Sequence, residues 1–145
     1  DRPDVAAAAG ASGVHVGQDD IPPSVARRIV GPDAIVGLST HGHSELEASR
    51  AEPVDYISAG PVEPTPTKPG RAGTGVAYAG EATRVAGRPV FVTGGVRPET
   101  IPPLAAAGVR RFVVVRYLTG APDPEEAARR LSHAIDQALG GSADA

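Results

Sequence analysis

The chain has 145 residues, enough for one modest domain with a real core, and its net charge of −3 gives no electrostatic case for nucleic acid. Aromatic residues make up only 3%, so stacking platforms for bases are absent as well. The lack of cysteine excludes disulfides, thiolate zinc sites and cysteine nucleophiles, and suits a cytoplasmic protein. No apolar run approaches the ~20 residues of a membrane span, and no signal peptide is visible. The sequence also lacks Met, so Asp1 is no translation start and a fragment or processed product is expected.

In chain order, Arg2 to Ala9 is Ala-rich and suits a helix stopped by Gly10. Gly13-Val14-His15-Val16 alternates like a short strand and runs into Gly17-Gln18-Asp19-Asp20. Pro22-Pro23-Ser24 opens a helix from Val25 to Val30, ended by Gly31. Ala34 to Leu38 is the second strand run, followed by Ser39-Thr40-His41-Gly42-His43. Ser44 is expected to cap a helix from Glu45 to about Ala51, with Glu47 at the capping-box position. Tyr56 to Ala59 is the third run. The stretch from Gly60 to Gly75 after it is too rich in Pro, Gly and Thr to be helix or strand.

Val76 to Ala86 reads as a helix, and Pro89 to Val92 as the fourth strand run, ending in Thr93-Gly94-Gly95. A helix begins near Pro98 or Pro102 and reaches Gly108. Phe112 to Val115 is the fifth run, with Arg116-Tyr117 after it. The last helix is the best marked. Asp123 is a good N-cap, Pro124 suits the first turn, Glu125 and Glu126 oppose the macrodipole, and Leu131, Ile135 and Leu139 form one apolar stripe. One domain over residues 1–139 is expected, with residues 140–145 as a disordered tail.

Strict alternation of strand and helix implies an α/β fold, a parallel sheet with helices outside. Each polar or Gly-rich cluster follows a strand run, the placement found at the C-terminal face of (β/α)8 barrels. Doubly wound sheets obey a similar rule at their switch point, so the placement alone does not decide between them.

The clusters suggest chemistry. The Gly60–Gly75 loop carries Thr65, Thr67, Lys68 and Arg71 among residues that keep the backbone open. Hydroxyls, free amides and fixed positive charge suit a phosphorylated ligand, against the plainer reading of a solvated loop. Asp19 and Asp20 can hold a hard cation through oxygen, or simply cap a helix. His15, inside a strand run, suits packing and hydrogen bonding more than chemistry. His41 and His43 alone are a weak metal signal. Gly94-Gly95 before a helix start can cradle phosphate, or make a tight turn.

Taken together, GVHVGQDD, VGLSTH, DYISAGPVEPTPTKPGRAGTG, PVFVTGG and a valine-rich last strand resemble the thiamine-phosphate synthase family over nearly the whole chain. The resemblance implies a TIM barrel, here an incomplete (β/α)8 barrel of about five βα units corresponding to strands 4–8. It implies a transferase that joins hydroxymethylpyrimidine pyrophosphate to hydroxyethylthiazole phosphate, forming thiamine monophosphate and pyrophosphate. It implies Mg²⁺ held by Asp1 and Asp20. Ser39 and Lys68 would contact the pyrimidine pyrophosphate and act in catalysis. Thr65, Pro66 and Thr67 would contact the thiazole phosphate, and Gly95, Val115 and Arg116 would complete that phosphate site through backbone amides. The implied partners are small-molecule substrates, not nucleic acid or membrane.

Departures from the family pattern are visible. The QxRxK-type segment that binds the pyrimidine pyrophosphate is not in this sequence, nor is the Asn that usually precedes the first metal Asp. Arg116-Tyr117 stands where many members have a small pair, and Gly42-His43 is unusual after STH. The isolated chain is therefore expected to be marginally stable and inactive. Two alternatives stay open: a thiazole tautomerase of the same superfamily, against which Asp20 and Lys68 argue, and a phosphate-binding barrel fragment with no activity.

Overall fold

The structure is a computed structural model that describes residues 1–66, 70 and 72–140. Five strands form one sheet: β1 (Gly13–Val16), β2 (Ile35–Thr40), β3 (Tyr56–Ala59), β4 (Val90–Thr93) and β5 (Phe112–Val113). All neighbours are parallel and the spatial order is the chain order, β1-β2-β3-β4-β5. That order excludes the doubly wound arrangement, in which the strand order reverses partway across the sheet. With every step taken in the same direction, right-handed crossovers put every connecting helix on the same face.

The strand sequences agree. Val16, Val36, Leu38, Ile57, Ala59, Val90 and Val92 are buried together with Ala26, Leu46, Tyr78, Ala79, Ala82 and Leu104 from the helices. The register aligns them, with Val16 beside Leu38, Leu38 beside Ile57, and Ile57 beside Val90. Because side chains alternate along a strand, His15, Ser39, Tyr56, Ser58, Phe91 and Thr93 occupy the opposite, half-exposed face. The sheet therefore has one apolar face under helices and one face bearing polar and aromatic groups.

The helices are α1 (Pro3–Ala8), α2 (Pro23–Val30), α3 (His43–Ser49), α4 (Gly75–Val85), a 3-10 turn (Pro98–Thr100) leading into α5 (Ile101–Ala106), α6 (Arg116–Thr119) and α7 (Pro124–Gly140). Asp123 caps α7 as expected, its Oδ1 accepting the Glu126 N–H at 3.0 Å. Leu131 and Ile135 from its apolar stripe pack with Val96 and Ile101, laying α7 against α5.

Several expectations need correction. Strand β2 runs on to Thr40, pairing Ser39 with Ser58 and Thr40 with Ala59, so Ser39 and Thr40 belong to the strand rather than following it. Helix α3 begins at His43, with Gly42 rather than Ser44 in the N-cap position. The Glu45 carboxylate reaches back to the His41 N–H at 2.7 Å, so a side chain from the first turn does the work expected of a serine. Strand β5 stops at Val113, because Val115 turns out of the extended region (φ −122, ψ −73) to start α6. The short helix α6 was not expected; four residues carry too little periodicity to read. Gly140 belongs to α7, and residues 141–145 of the expected tail lie outside the described residues.

The end of the sheet where the strands begin is tied down by two guanidinium groups. Arg27, whose side chain is 18% exposed, donates to the carbonyls of Gly31 and Pro32 at 3.2 Å, of Pro53 at 3.3 Å, and of Ala34. It also pairs with Asp55 at 2.6 Å, and the same Asp55 oxygen accepts the Val36 N–H at 2.7 Å. Arg88 donates to the carbonyls of Arg50, Glu52 and Val54. These groups consolidate the amino ends of the strands and leave the carboxyl ends to loops.

Candidate functional site

A cleft of about 460 Å³ opens over the carboxyl ends of β2 to β5. It is lined by Ser39 near the end of β2 and His41 after it, Ser58 in β3 with Gly60, Pro61 and Pro64 to Pro66 after it, Thr93 at the end of β4 with Gly94 to Arg97 after it, and Val113 at the end of β5 with Val114 to Tyr117 after it. Six of the residues singled out from sequence therefore meet in one place: Ser39, Thr65, Pro66, Gly95, Val115 and Arg116. Thr67, Lys68 and Arg71 lie outside the described residues. Asp1 and Asp20 do not line this cleft. Asp20 borders a smaller hollow of about 190 Å³ at the end of β1, with Gly17, Gln18 and Glu45.

Two glycines decide how closely the loops approach. Gly94 and Gly95 have φ of 80° and 78°, which favours glycine on backbone grounds alone. A Cβ on Gly94 would fall 2.2 Å from Pro61 Cβ, and one on Gly95 would fall 2.7 Å from Glu63 Cβ. The space above each is filled by the loop after β3, so the pair serves loop packing before anything else. The amides of Val62 and Glu63 donate to the carbonyls of Thr93 and Gly94 at 2.9 and 3.2 Å, continuing the strand pairing past the end of the sheet.

A bidentate ion pair locks the same two loops. Arg97 Nη1 and Nη2 meet Glu63 Oε2 and Oε1 at 2.5 and 3.1 Å, and Arg97 Nη1 also donates to the Gly95 carbonyl at 3.0 Å. The guanidinium lowers the Glu63 pKa from the ordinary carboxylate value, through its hydrogen bond first and its charge second. The two residues are 34 positions apart, and no pattern in the sequence pairs them.

Ser39 is held from several sides. His15 Nε2 lies 2.9 Å from its Oγ, Ser58 Oγ lies 3.4 Å from the same atom, and Gln18 Nε2 donates to its carbonyl at 2.6 Å. The other ring nitrogen of His15 lies 2.9 Å from the Tyr56 hydroxyl. Tyr56 in turn meets Phe91 edge-on, with ring centroids 5.3 Å apart. Burial pushes the Tyr56 phenol pKa above its usual value. His15 is thus packed and hydrogen-bonded, as its place in a strand run suggested, but its position beside Ser39 was not legible. That position depends on register, which sets His15 opposite Gly37 and Gly37 opposite Tyr56.

His41 and His43 part company despite their spacing. His41 Nδ1 contacts the Gly60 carbonyl, and His43 Nδ1 contacts Glu81, whose carboxylate raises the pKa of that imidazole. No group of three or more His, Asp or Glu side chains among the described residues is arranged to hold a metal ion. A two-carboxylate site is a smaller requirement, and Asp1 and Asp20 bear on it. The Asp1 amino group donates to the His15 carbonyl at 2.8 Å, which sets the residue against the open edge of β1. Asp20 Oδ2 accepts the Gly17 N–H at 2.6 Å, folding its carboxylate back over the end of the same strand. Asp1 and Asp20 are both exposed, and carboxylate oxygen is the donor type Mg²⁺ takes when phosphate completes its shell.

Parallel strands in chain order, with one loop-built cleft at their carboxyl ends, define an α/β protein of the kind that binds its ligand at the strand termini. A family model of thiamine monophosphate synthases matches residues 1–118, and the chain belongs to that family. It is 50% identical over 136 residues to a thiamine-phosphate synthase of Mycobacterium sp. (strain KMS), a match covering 93% of this chain and 60% of the relative. It superposes on thiamine phosphate pyrophosphorylase from Pyrococcus furiosus with a TM-score of 0.85 at 29% identity, covering 96% of this chain and 66% of that one. It also resembles a 3-hexulose-6-phosphate synthase, with a TM-score of 0.66 at 28% identity, over 92% of this chain and 67% of that one. The chain spans about three-fifths of the length of the curated relatives it matches. No described helix is long and apolar enough to cross a membrane.

Proposed function

We propose that this chain contributes the larger part of the active site of a cytoplasmic thiamine-phosphate synthase, joining hydroxymethylpyrimidine pyrophosphate to hydroxyethylthiazole phosphate. The observation that carries this is the convergence of Ser39, Thr65, Pro66, Gly95, Val115 and Arg116 on one cleft at the strand ends. The sheet is read as the wall of a (β/α)8 barrel, strands 4–8. Its sequential parallel order and one-sided helices support that reading.

In this scheme the thiazole phosphate sits between the Thr65–Thr67 segment and the amides of Gly95, Val115 and Arg116. Loop packing at Gly94-Gly95 and the Glu63–Arg97 pair hold the Gly95 backbone still. The Ser39 hydroxyl contacts the pyrimidine pyrophosphate, and Lys68 faces the charge that gathers on the departing pyrophosphate. Stabilisation of developing charge by preorganised groups is the main catalytic contribution. Mg²⁺, held by Asp1 and Asp20, would supply further counter-charge to the leaving group. The thiazole nitrogen attacks the pyrimidine methylene as pyrophosphate leaves, so no protein nucleophile is required.

The test is pyrophosphate release by the full protein with both substrates, for the natural sequence and for Lys68→Ala. Loss of Lys68 should lower turnover roughly ten- to a thousandfold. Turnover that is absent in the natural protein, or unaffected by Lys68→Ala, would overturn the reading.

A further inference from the structure

We propose that His15 is a positioning residue, which fixes the Ser39 hydroxyl as a hydrogen-bond donor into the cleft while Tyr56 holds the imidazole in the tautomer this needs. Ser39 lines the cleft; His15 and Tyr56 do not. The inference rests on Ser39 being a substrate contact, as read above.

The geometry begins with a missing side chain. His15, Gly37 and Tyr56 are cross-strand neighbours in register on the half-exposed face. A Cβ on Gly37 would stand 2.2 Å from Tyr56 Cζ and 2.5 Å from His15 Nδ1. The glycine therefore leaves the gap across which the imidazole and phenol meet, with Nδ1 and the phenol oxygen 2.9 Å apart. The ring then reaches Ser39 Oγ with its other nitrogen, also at 2.9 Å.

An imidazole in its neutral form has one donor nitrogen and one acceptor nitrogen, so the Tyr56 hydroxyl at Nδ1 and the Ser39 hydroxyl at Nε2 cannot play the same part. Of the two, the phenol is the stronger acid and the better donor. The Tyr56 O–H therefore donates to Nδ1, and Nε2–H donates to Ser39 Oγ. The Tyr56 environment agrees, since burial keeps the phenol protonated. Ser58 Oγ approaches Ser39 Oγ as a second donor at 3.4 Å. A serine oxygen accepts two hydrogen bonds and donates one. With both acceptor positions taken from within the sheet, the single Ser39 hydrogen is left to point at a ligand oxygen in the cleft. The opposite tautomer would draw that hydrogen onto Nε2 and turn Ser39 into an acceptor, which an anionic substrate does not want. Gln18 donates to the Ser39 carbonyl and so ties down the backbone from which the hydroxyl projects.

The test joins spectroscopy to kinetics, in the full protein. Imidazole ¹⁵N resonances of His15 should show Nε2 protonated and Nδ1 accepting a hydrogen bond. Tyr56→Phe removes the donor to Nδ1 and should shift the resonances toward the other tautomer. In pyrophosphate-release assays the same variant should lower kcat roughly tenfold with the thiazole phosphate KM unchanged, less than outright loss of a preorganised donor brings. Introduced into Ser39→Ala, Tyr56→Phe should cost little more, because the hydroxyl it directs is gone. Nδ1 protonation in the natural protein, or full additivity of Tyr56→Phe and Ser39→Ala, overturns the proposal. If the natural protein released no pyrophosphate the functional reading would fall, while the ¹⁵N measurement would still decide the His15 arrangement.

Discussion

Gly37→Ala adds one methyl group at the most crowded point of the half-exposed sheet face. The backbone there has no special conformation, so the effect is steric. The added carbon would meet Tyr56 Cζ at 2.2 Å, Tyr56 Cε1 and His15 Nδ1 at 2.5 Å. Neither ring can yield freely. Tyr56 is held between His15, at 5.4 Å between centroids, and Phe91, at 5.3 Å, and is tied to His15 by a hydrogen bond. Overpacking of this kind costs about 1–3 kcal/mol, and loss of the His15–Tyr56 hydrogen bond about 1 more. Alanine returns roughly 0.5–1 kcal/mol by restricting the unfolded chain. The net is a destabilisation of about 1–3 kcal/mol, a fall of roughly 3–10 °C in Tm for a domain of this size. Thermal unfolding followed by circular dichroism measures it, with Gly42→Ala as the control, since nothing lies within 4 Å of a Cβ there and its φ is −179°. In a Tyr56→Ala background the cost of Gly37→Ala should shrink. A Tm for Gly37→Ala equal to that of Gly42→Ala would refute the reasoning.

Arg27→Ala should destabilise the protein by about 2–4 kcal/mol in denaturant titration, since it strips several carbonyls and Asp55 of their donor; Arg27→Lys should restore little of this, a point charge being unable to reach so many acceptors. The Glu63–Arg97 pair gives a pH signature. The Glu63 pKa is lowered in the folded state, so its stabilisation is present above the ordinary carboxylate pKa and is lost as pH falls through the depressed value. Both side chains are about two-fifths exposed, which limits the contribution to about 0–1 kcal/mol. Unfolding of the natural protein and Glu63→Gln should therefore differ at pH 7, and the difference should shrink as pH is lowered below the ordinary carboxylate range. Asp20→Asn should lower pyrophosphate release at ordinary Mg²⁺ with partial recovery at high Mg²⁺, while Asp19→Asn stays mild; greater sensitivity at Asp19 would move the metal assignment by one residue.

The strands were legible because they are short apolar runs bounded by glycine and polar clusters. The limits of β1 and β3 follow from Gly13–Val16 and Tyr56–Ala59 directly. Where a limit slipped, a local side chain or turn had the deciding role: Glu45 at the start of α3, and Val115 at the end of β5. The gathering of Ser39, Thr65, Gly95 and Arg116 was legible from one regularity, that each follows an apolar run of the sequence in a parallel sheet. What the sequence could not supply was anything depending on register or loop-to-loop contact. His15 reaches Ser39 only because Gly37 separates it from Tyr56 in the ladder, and Glu63 finds Arg97 only because two glycines let their loops touch.

The chain-order arrangement of the strands bears on how the protein comes into being. Gly13 pairs with Ile35, Gly37 with Tyr56, Ile57 with Val90 and Val92 with Phe112, so each strand's partner is the next one made. At about 5–20 residues per second on the ribosome, every new strand emerges within seconds of the edge it will join. These five strands can thus be laid down in the direction of synthesis, each joining the one made just before it. The cleft, which draws on loops after four different strands, is completed only when the last of them arrives.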